Sequence, residues 1–270
     1  MANIVSMALC RIKNDDKLEY NQQTGAEKTF KLYSSMCDIL SESCDYFIDG
    51  DWDFEIIENE VSSYQEIFDK NFNEVHQMWD GGKNNILFLD LDTFVISPVK
   101  IFDQLKDFQM FNYTDPKTLS GNDANNKYGL QHEHYLNAGV RYYPSTMNQD
   151  VWDIGWKYAK DWDYNIWGTE QIIFNEMMYS QNEDVNNWLN PKMNYQMMNV
   201  SPQALENIQY ISALDQWNNT EFKEAQILHL HGTRNAEQTL LTQHKLWQTI
   251  TGEDFEFEFV EIVDGSINYK

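Results

Sequence analysis

At 270 residues, with 42% apolar and 14% aromatic side chains and only 12 glycines and 5 prolines, the chain has the composition of a folded globular protein and not of a disordered one. Its formal charge of −24 at pH 7 repels nucleic-acid backbones and anionic membrane surfaces, so neither is expected as a partner. A phosphate-bearing small molecule is repelled too, unless a cation or a local basic group reverses the field within a Debye length, ~8 Å. Acidity therefore makes a bound metal more necessary. The three cysteines, Cys10, Cys37 and Cys44, are odd in number and show no Cys-x-x-Cys spacing, as expected of reduced structural thiols. Met1 to Ser6 lacks a basic region before a long apolar block, and no stretch approaches ~18 apolar residues, so the expectation is a cytoplasmic protein with no membrane insertion.

Ile4 to Ile12 reads as a first strand, followed by a polar loop from Asn14 to Gly25 of the kind that carries ligands beyond the strands of an α/β sheet. Phe30, Tyr33, Cys37 and Leu40 recur at helical spacing, which predicts an amphipathic helix from Glu27 to Ser41. Tyr46-Phe47-Ile48 reads as a short second strand closed by the turn signal Asp49-Gly50. Val61, Tyr64, Phe68, Phe72, Val75 and Trp79 form the stripe of a longer helix that Gly81-Gly82 caps. A strand from Ile86 follows directly, and this alternation predicts a mostly parallel sheet.

Later in the chain, Phe108 to Tyr113 reads as another strand, Thr114 to Lys127 as a polar loop, and Tyr135 to Pro144 as a strand again. Helices are expected from Asn148 to Asp161 and from Thr169 to Ser180. Ala225 to Gly232 is a strand ending at a glycine, and a helix runs on through Leu241, Leu246 and Ile250. Phe255, Phe257 and Phe259 alternate with Glu256 and Glu258, the pattern of a half-buried strand.

The stretch Ile86 to Pro98 carries the chemistry. Four large apolar residues, Ile86-Leu87-Phe88-Leu89, run straight into Asp90-Leu91-Asp92, and a second apolar run ends at Ser97-Pro98. A strand covered on both faces has this composition. Side chains alternate along a strand, so Asp90 and Asp92 share a face if the strand continues. Carboxylates in apolar surroundings need a partner, and hard oxygen ligands suit magnesium or manganese. Asp51-Trp52-Asp53 and Asp161-Trp162-Asp163 show the same spacing, so the apolar strand in front is what distinguishes Asp90 and Asp92 from a solvated strand end.

Together with Asn137-Ala138-Gly139-Val140, Trp167-Gly168-Thr169-Glu170-Gln171 and His229-Leu230-His231-Gly232, this stretch resembles the metal-dependent glycosyltransferases of GT-A fold, most of all the glycogenin-like and bacterial galactosyltransferase group. The resemblance implies an α/β, Rossmann-like single domain spanning residues 1–270, with a central mostly parallel twisted sheet flanked by helices. It divides into a nucleotide-sugar-binding half (1–112), an acceptor and metal half (113–235), and a C-terminal helix and strand (236–270). By resemblance, Asp90 and Asp92 hold manganese (or magnesium), and Asp90, Leu91 and Asp92 contact the nucleotide sugar. His229 is then the third metal ligand with Gly232 as its glycine, and His231 is the alternative ligand. Asn137, Ala138 and Gly139 then touch the donor sugar, and Glu170-Gln171 stands at the reaction centre. The family continues the histidine motif with Lys-Pro-Trp where this chain has Thr233-Arg234-Asn235, so Arg234 is the candidate for the diphosphate contact.

The function so implied is transfer of a hexose from a nucleotide sugar, UDP-glucose or UDP-galactose, to a glycan or other hydroxyl acceptor, with retention. Trp167, next to Glu170, is the candidate for stacking on the acceptor, whereas the helical spacing of Trp152 and Trp156 points to core packing. His132 and His134 read as surface or acceptor-side groups. Two rivals stand beside this reading. Phe88 to Val95 approaches the phosphatase signature of the haloacid dehalogenase class, in which the first aspartate is a nucleophile, although Thr93 follows the second acid one residue too early. A relative that kept the fold and binds glycans without catalysis is the other.

Overall fold

The computed structural model describes residues 2–12, 26–100, 102, 107–112, 132, 135–161, 169–181, 190–197, 224–230 and 236–270. Strand β1 (Ala2–Ile12) leads to helix α1 (Ala26–Phe47), strand β2 (Asp53–Val61), helix α2 (Tyr64–Trp79), and strands β3 (Asn84–Leu89) and β4 (Thr93–Val95). Strands β5 (Gln109–Met110) and β6 (Val140–Tyr143) precede helices α3 (Gln149–Asp161) and α4 (Thr169–Gln181). A 3-10 turn (Pro191–Asn194), strands β7 (Tyr195–Gln196) and β8 (Ile227–His229), helix α5 (Ala236–Thr251), and strands β9 (Val260–Val263) and β10 (Ser266–Tyr269) complete the described chain.

The main sheet has the order β2-β1-β3-β6-β5. β1 pairs in parallel with both β2 and β3, and β6 runs antiparallel to β3 and β5, so β6 alone opposes the other four strands. This is the α/β class expected, with a mostly parallel sheet and helices against it.

Strand alternation sorts the core onto the two faces of this sheet. Ile4, Ile86, Phe88 and Tyr143 pack with Phe68, Phe72 and Val75 of α2, Trp152 of α3, and Phe174 and Met177 of α4. Val5, Met7, Leu87, Leu89 and Tyr142 face the other way, onto Cys37, Leu40 and Cys44 of α1. The opposite side of α1, through Leu32, Met36 and Ile39, packs with Phe94 of β4, Leu228 of β8 and Leu240 of α5. All three cysteines are free, and Cys37 and Cys44 are buried.

A second, three-stranded sheet has the order β4-β8-β7. It exists because the stretch from Ile86 to Ser97 is not one strand: β3 stops at Leu89, the chain turns through Asp90 to Asp92, and β4 joins the smaller sheet. The carboxylates therefore meet across a turn and not along a continuing strand.

Three further expectations change. The second strand is not Tyr46 to Ile48: Cys37, Leu40, Cys44 and Ile48 pack on one cluster at helical spacing, so α1 runs on to Phe47, and Ile48 makes only an isolated bridge with Val99. The strand in that place is β2, at the edge of the sheet, where only Ile57 and Val61 are buried and the acidic side chains between them hide the pattern. Phe255 to Phe259 alternates in burial but joins no ladder; the strands of this region are β9 and β10, joined by Asp264 and Gly265 with φ of 50° and 72°. Both positive φ values fit the tight hairpin turn for which Asp-Gly is a strong signal.

Candidate metal centre

The turn after β3 is built by its own backbone and by two distant elements. Asp90 N–H donates to Gly139 O at 2.8 Å, and Thr93 closes the turn on Asp90 O through its N–H at 3.0 Å and its hydroxyl at 2.7 Å. Gln243 of α5 donates its side-chain amide to Leu91 O at 2.8 Å and Thr93 O at 2.9 Å. Leu91 packs its side chain against the two clusters that meet at α1, while the two aspartates flanking it stay partly exposed. β8 lies antiparallel to β4 with Thr93 opposite His229, and Leu230 N–H donates to Asp92 O at 2.7 Å. The result brings one oxygen of each aspartate and one His229 ring nitrogen within 4.8 Å of one another.

His229 is 4% exposed, and its two ring nitrogens have different partners. Nε2 lies 3.2 Å from Asp92 Oδ1, and Nδ1 lies 2.9 Å from Asn137 Oδ1. The same Asn137 oxygen accepts from Gly139 N–H at 2.9 Å and from Asn194 Nδ2 at 3.0 Å. Three donors around one oxygen make Nδ1 the protonated nitrogen, so in neutral His229 the lone pair is on Nε2, beside the carboxylates. Holding a ligating histidine through its other nitrogen is the usual way that its tautomer and ring orientation are set.

Gly139 completes this seat. A Cβ there would fall on the His229 ring, 2.9 Å from Nε2 and closer still to other ring atoms. Asn137 and Gly139 thus lie beneath the histidine, and Ala138 between them is buried.

Glu170 lies in the first turn of α4, with its side chain 51% exposed, and accepts from Arg141 at 3.3 Å. Arg141 also lies 3.6 Å from Asp90 Oδ1. Asn175, further along α4, bonds both the N–H and the C=O of Leu136 at 2.7 and 2.8 Å, which ties this helix to the Asn137 turn. Gln171 is partly buried, and its carbonyl accepts from Asn175. Residues Arg141, Asn175, Asn194 and Gln243 carry no sequence motif, and no local pattern would have found them. Residues Trp167, His231, Gly232 and Arg234, with His134 and the loop from 114 to 127, lie outside the described residues. His132 pairs with Glu176 at 3.1 Å and stacks on Tyr179.

The protein packed around Asp90 pushes its carboxyl up to about 6 against the pull of Arg141, with Asp92 adding to the rise, even though 41% of the side chain reaches solvent. Burial, the largest influence on the almost fully enclosed His229, favours its neutral form, but the Asp92 carboxylate with Asp90 behind it leaves its pKa raised. When His229 is protonated its second proton sits on Nε2, toward Asp92, and a metal must displace that proton. Proton and metal compete, so affinity falls as pH falls through the raised pKa. We expect Mn2+ affinity, followed by titration calorimetry, to weaken at least about tenfold between pH 8 and pH 6. A flat profile would remove His229 from the ligand set.

No family model matches the sequence, and no curated protein matches it. Solved structures that match include the galactosyltransferase LgtC in complex with donor and acceptor sugar analogs, at 12% identity over 92% of this chain and 96% of that one, with a TM-score of 0.46. The bifunctional glycosyltransferase WbbM, in its apo structure, matches at 11% identity over 90% of this chain and 49% of its own, with a TM-score of 0.49. A glycosyltransferase involved in glycosylation of the major capsid of PBCV-1 matches at 14% identity over 88% and 98%, with a TM-score of 0.45. At these identities and scores the likeness adds no argument to the site's own geometry.

Proposed function

We propose that the protein is a metal-dependent glycosyltransferase that moves a hexose from a nucleotide sugar, a UDP-sugar such as UDP-glucose or UDP-galactose, to a glycan or other hydroxyl acceptor. The observation that carries this reading is the Asp90, Asp92 and His229 cluster, with the His229 Nδ1 proton seated on Asn137. The two carboxylates suit manganese or magnesium, and the imidazole nitrogen lies close enough to share the ion with them. Bound there, the cation would offset the charge that develops on the diphosphate as it leaves the sugar, usually the largest catalytic term.

The chain's own residues do the rest. Gln243 and Thr93 hold the turn that presents both aspartates, and Asn137 and Gly139 orient His229. Glu170, half exposed and anchored on Arg141, faces the sugar and stabilises positive charge at the anomeric carbon, with Gln171 beside it. In this reading residues 1–112 grip the nucleotide sugar, 113–235 carry the acceptor side and His229, and 236–270 brace the turn. Among the described residues no helix is long and apolar enough to cross a membrane.

Thermal unfolding with Mn2+, alone and with UDP, GDP or CDP, and repeated in EDTA, tests the reading. A ligand at 100 times its dissociation constant adds about 2.7 kcal/mol, a clear rise in Tm. Stabilisation by one nucleoside diphosphate, lost in EDTA, is expected. No shift with any of them would favour glycan binding without catalysis, and release of phosphate from simple phosphate esters would favour the phosphatase. Retention is read separately, by NMR of the product's new anomeric bond. An α-linked donor should give an α-linked product; a β-linkage means Glu170 serves as a general base instead.

A further inference from the structure

Arg141 is one of three arginines in the chain and lies on β6 with its side chain 5% exposed. Its guanidinium is sandwiched between the rings of Phe88 on β3, at 4.3 Å, and Phe174 on α4, at 4.2 Å. One end lies 3.6 Å from Asp90 Oδ1, and the other donates to Glu170 Oε1 at 3.3 Å. Its Nε is buried and finds no hydrogen-bond partner among the described residues. A desolvated cation with an orphaned N–H is a poor device for stability. The carboxylates it serves are 41% and 51% exposed, so both keep contact with water.

We propose that Arg141 is a positioning residue that couples Glu170 to the metal-holding cluster. The guanidinium is planar and rigid, and the two phenyl rings fix its plane, so its two ends cannot move independently. Holding Glu170 at one end limits how closely the other end can neutralise Asp90. If the charge on Glu170 is removed, Arg141 serves Asp90 alone and competes with a cation for it. What Glu170 does in turnover rests on the glycosyl-transfer reading; the coupling itself does not.

The test is a double-mutant cycle on the full chain at pH 8, with Mn2+ affinity measured by EPR in the absence of nucleotide. Glu170→Gln should weaken Mn2+ binding at least about threefold when Arg141 is present, and less than about 1.5-fold in Arg141→Met. Arg141→Met should keep or raise Tm, because methionine fills the slot between two aromatic rings and leaves no buried charge behind. Equal factors in the two backgrounds would overturn the coupling. So would a lowered Tm with weakened Mn2+ binding in Arg141→Met, which would make Arg141 a structural prop. Should that variant not fold, Arg141→Lys keeps the charge but cannot bridge both carboxylates, and the Glu170→Gln effect should disappear in it as well. Turnover with a sugar nucleotide is read on the same proteins. Arg141→Met should cost at least about tenfold in kcat alone and less than about threefold once Glu170→Gln is present. Absence of turnover in every protein, the unmodified one included, refutes the glycosyl-transfer reading and leaves the Mn2+ cycle to decide the coupling.

Discussion

Asp92→Asn should abolish metal-dependent turnover, leaving less than about a tenth of the activity, a loss of at least ~1.4 kcal/mol in transition-state stabilisation. Asp92 Oδ1 is the oxygen 3.2 Å from His229 Nε2, so this side chain joins the turn after β3 to the end of β8. Asparagine keeps its size and removes the charge, both for a cation and for His229, whose raised pKa depends chiefly on Asp92 once burial is set aside. The turn itself should survive, because its hydrogen bonds include those to the Asp90 carbonyl from Thr93, those from Gln243, and that to the Asp92 carbonyl, which asparagine retains. Initial rates with sugar nucleotide and saturating Mn2+, beside a Tm control, decide the matter. Retention of more than a tenth of the rate at unchanged Tm would refute the assignment of Asp92 as a ligand.

Gly139→Ala should weaken Mn2+ binding about 10- to 100-fold, the range seen when the support of a metal ligand is lost. The φ of Gly139 lies outside the left-handed region, so its backbone suits alanine, and the cost comes only from space. The added Cβ would fall on the His229 ring, and that ring is held through Nδ1 by Asn137, which is itself held by Asn194. The imidazole must therefore leave its seat or the turn must open. Calorimetric titration with Mn2+ measures the change. Unaltered affinity would mean that the seat of His229 is irrelevant to the metal.

These two residues differ in how they could be found. Asp92 is visible in the sequence because an apolar run ending in paired acids is a local pattern. Gly139 stands out only through the resemblance, which assigns its segment to the donor sugar; that it makes room for His229 is a property of packing. Asn137 Oδ1 meets His229 Nδ1 across 92 residues, and Gln243 reaches Thr93 across 150. Such contacts leave no periodic trace. Arg141 was missed for the same reason, since an arginine inside a strand reads as one polar residue on one face until Phe88, Phe174, Asp90 and Glu170 are seen around it.

His229 entered only through the resemblance, with His231 beside it; by itself the sequence determined the alternation of strands and helices, the apolar strand that delivers the acids, and the pair Asp90 and Asp92 as groups able to hold a cation. Those are products of short-range periodicity, because a side chain's face follows from its position along a helix or strand. Only the tertiary structure decided that the strand breaks at Asp90, that α1 continues through Tyr46, that an acidic edge strand follows it, and which His229 nitrogen points at the carboxylates. Each of those depends on a partner far away in the chain: the smaller sheet for the break, the cluster beneath α1 for its length, β1 for β2, and Asn137 for the ring.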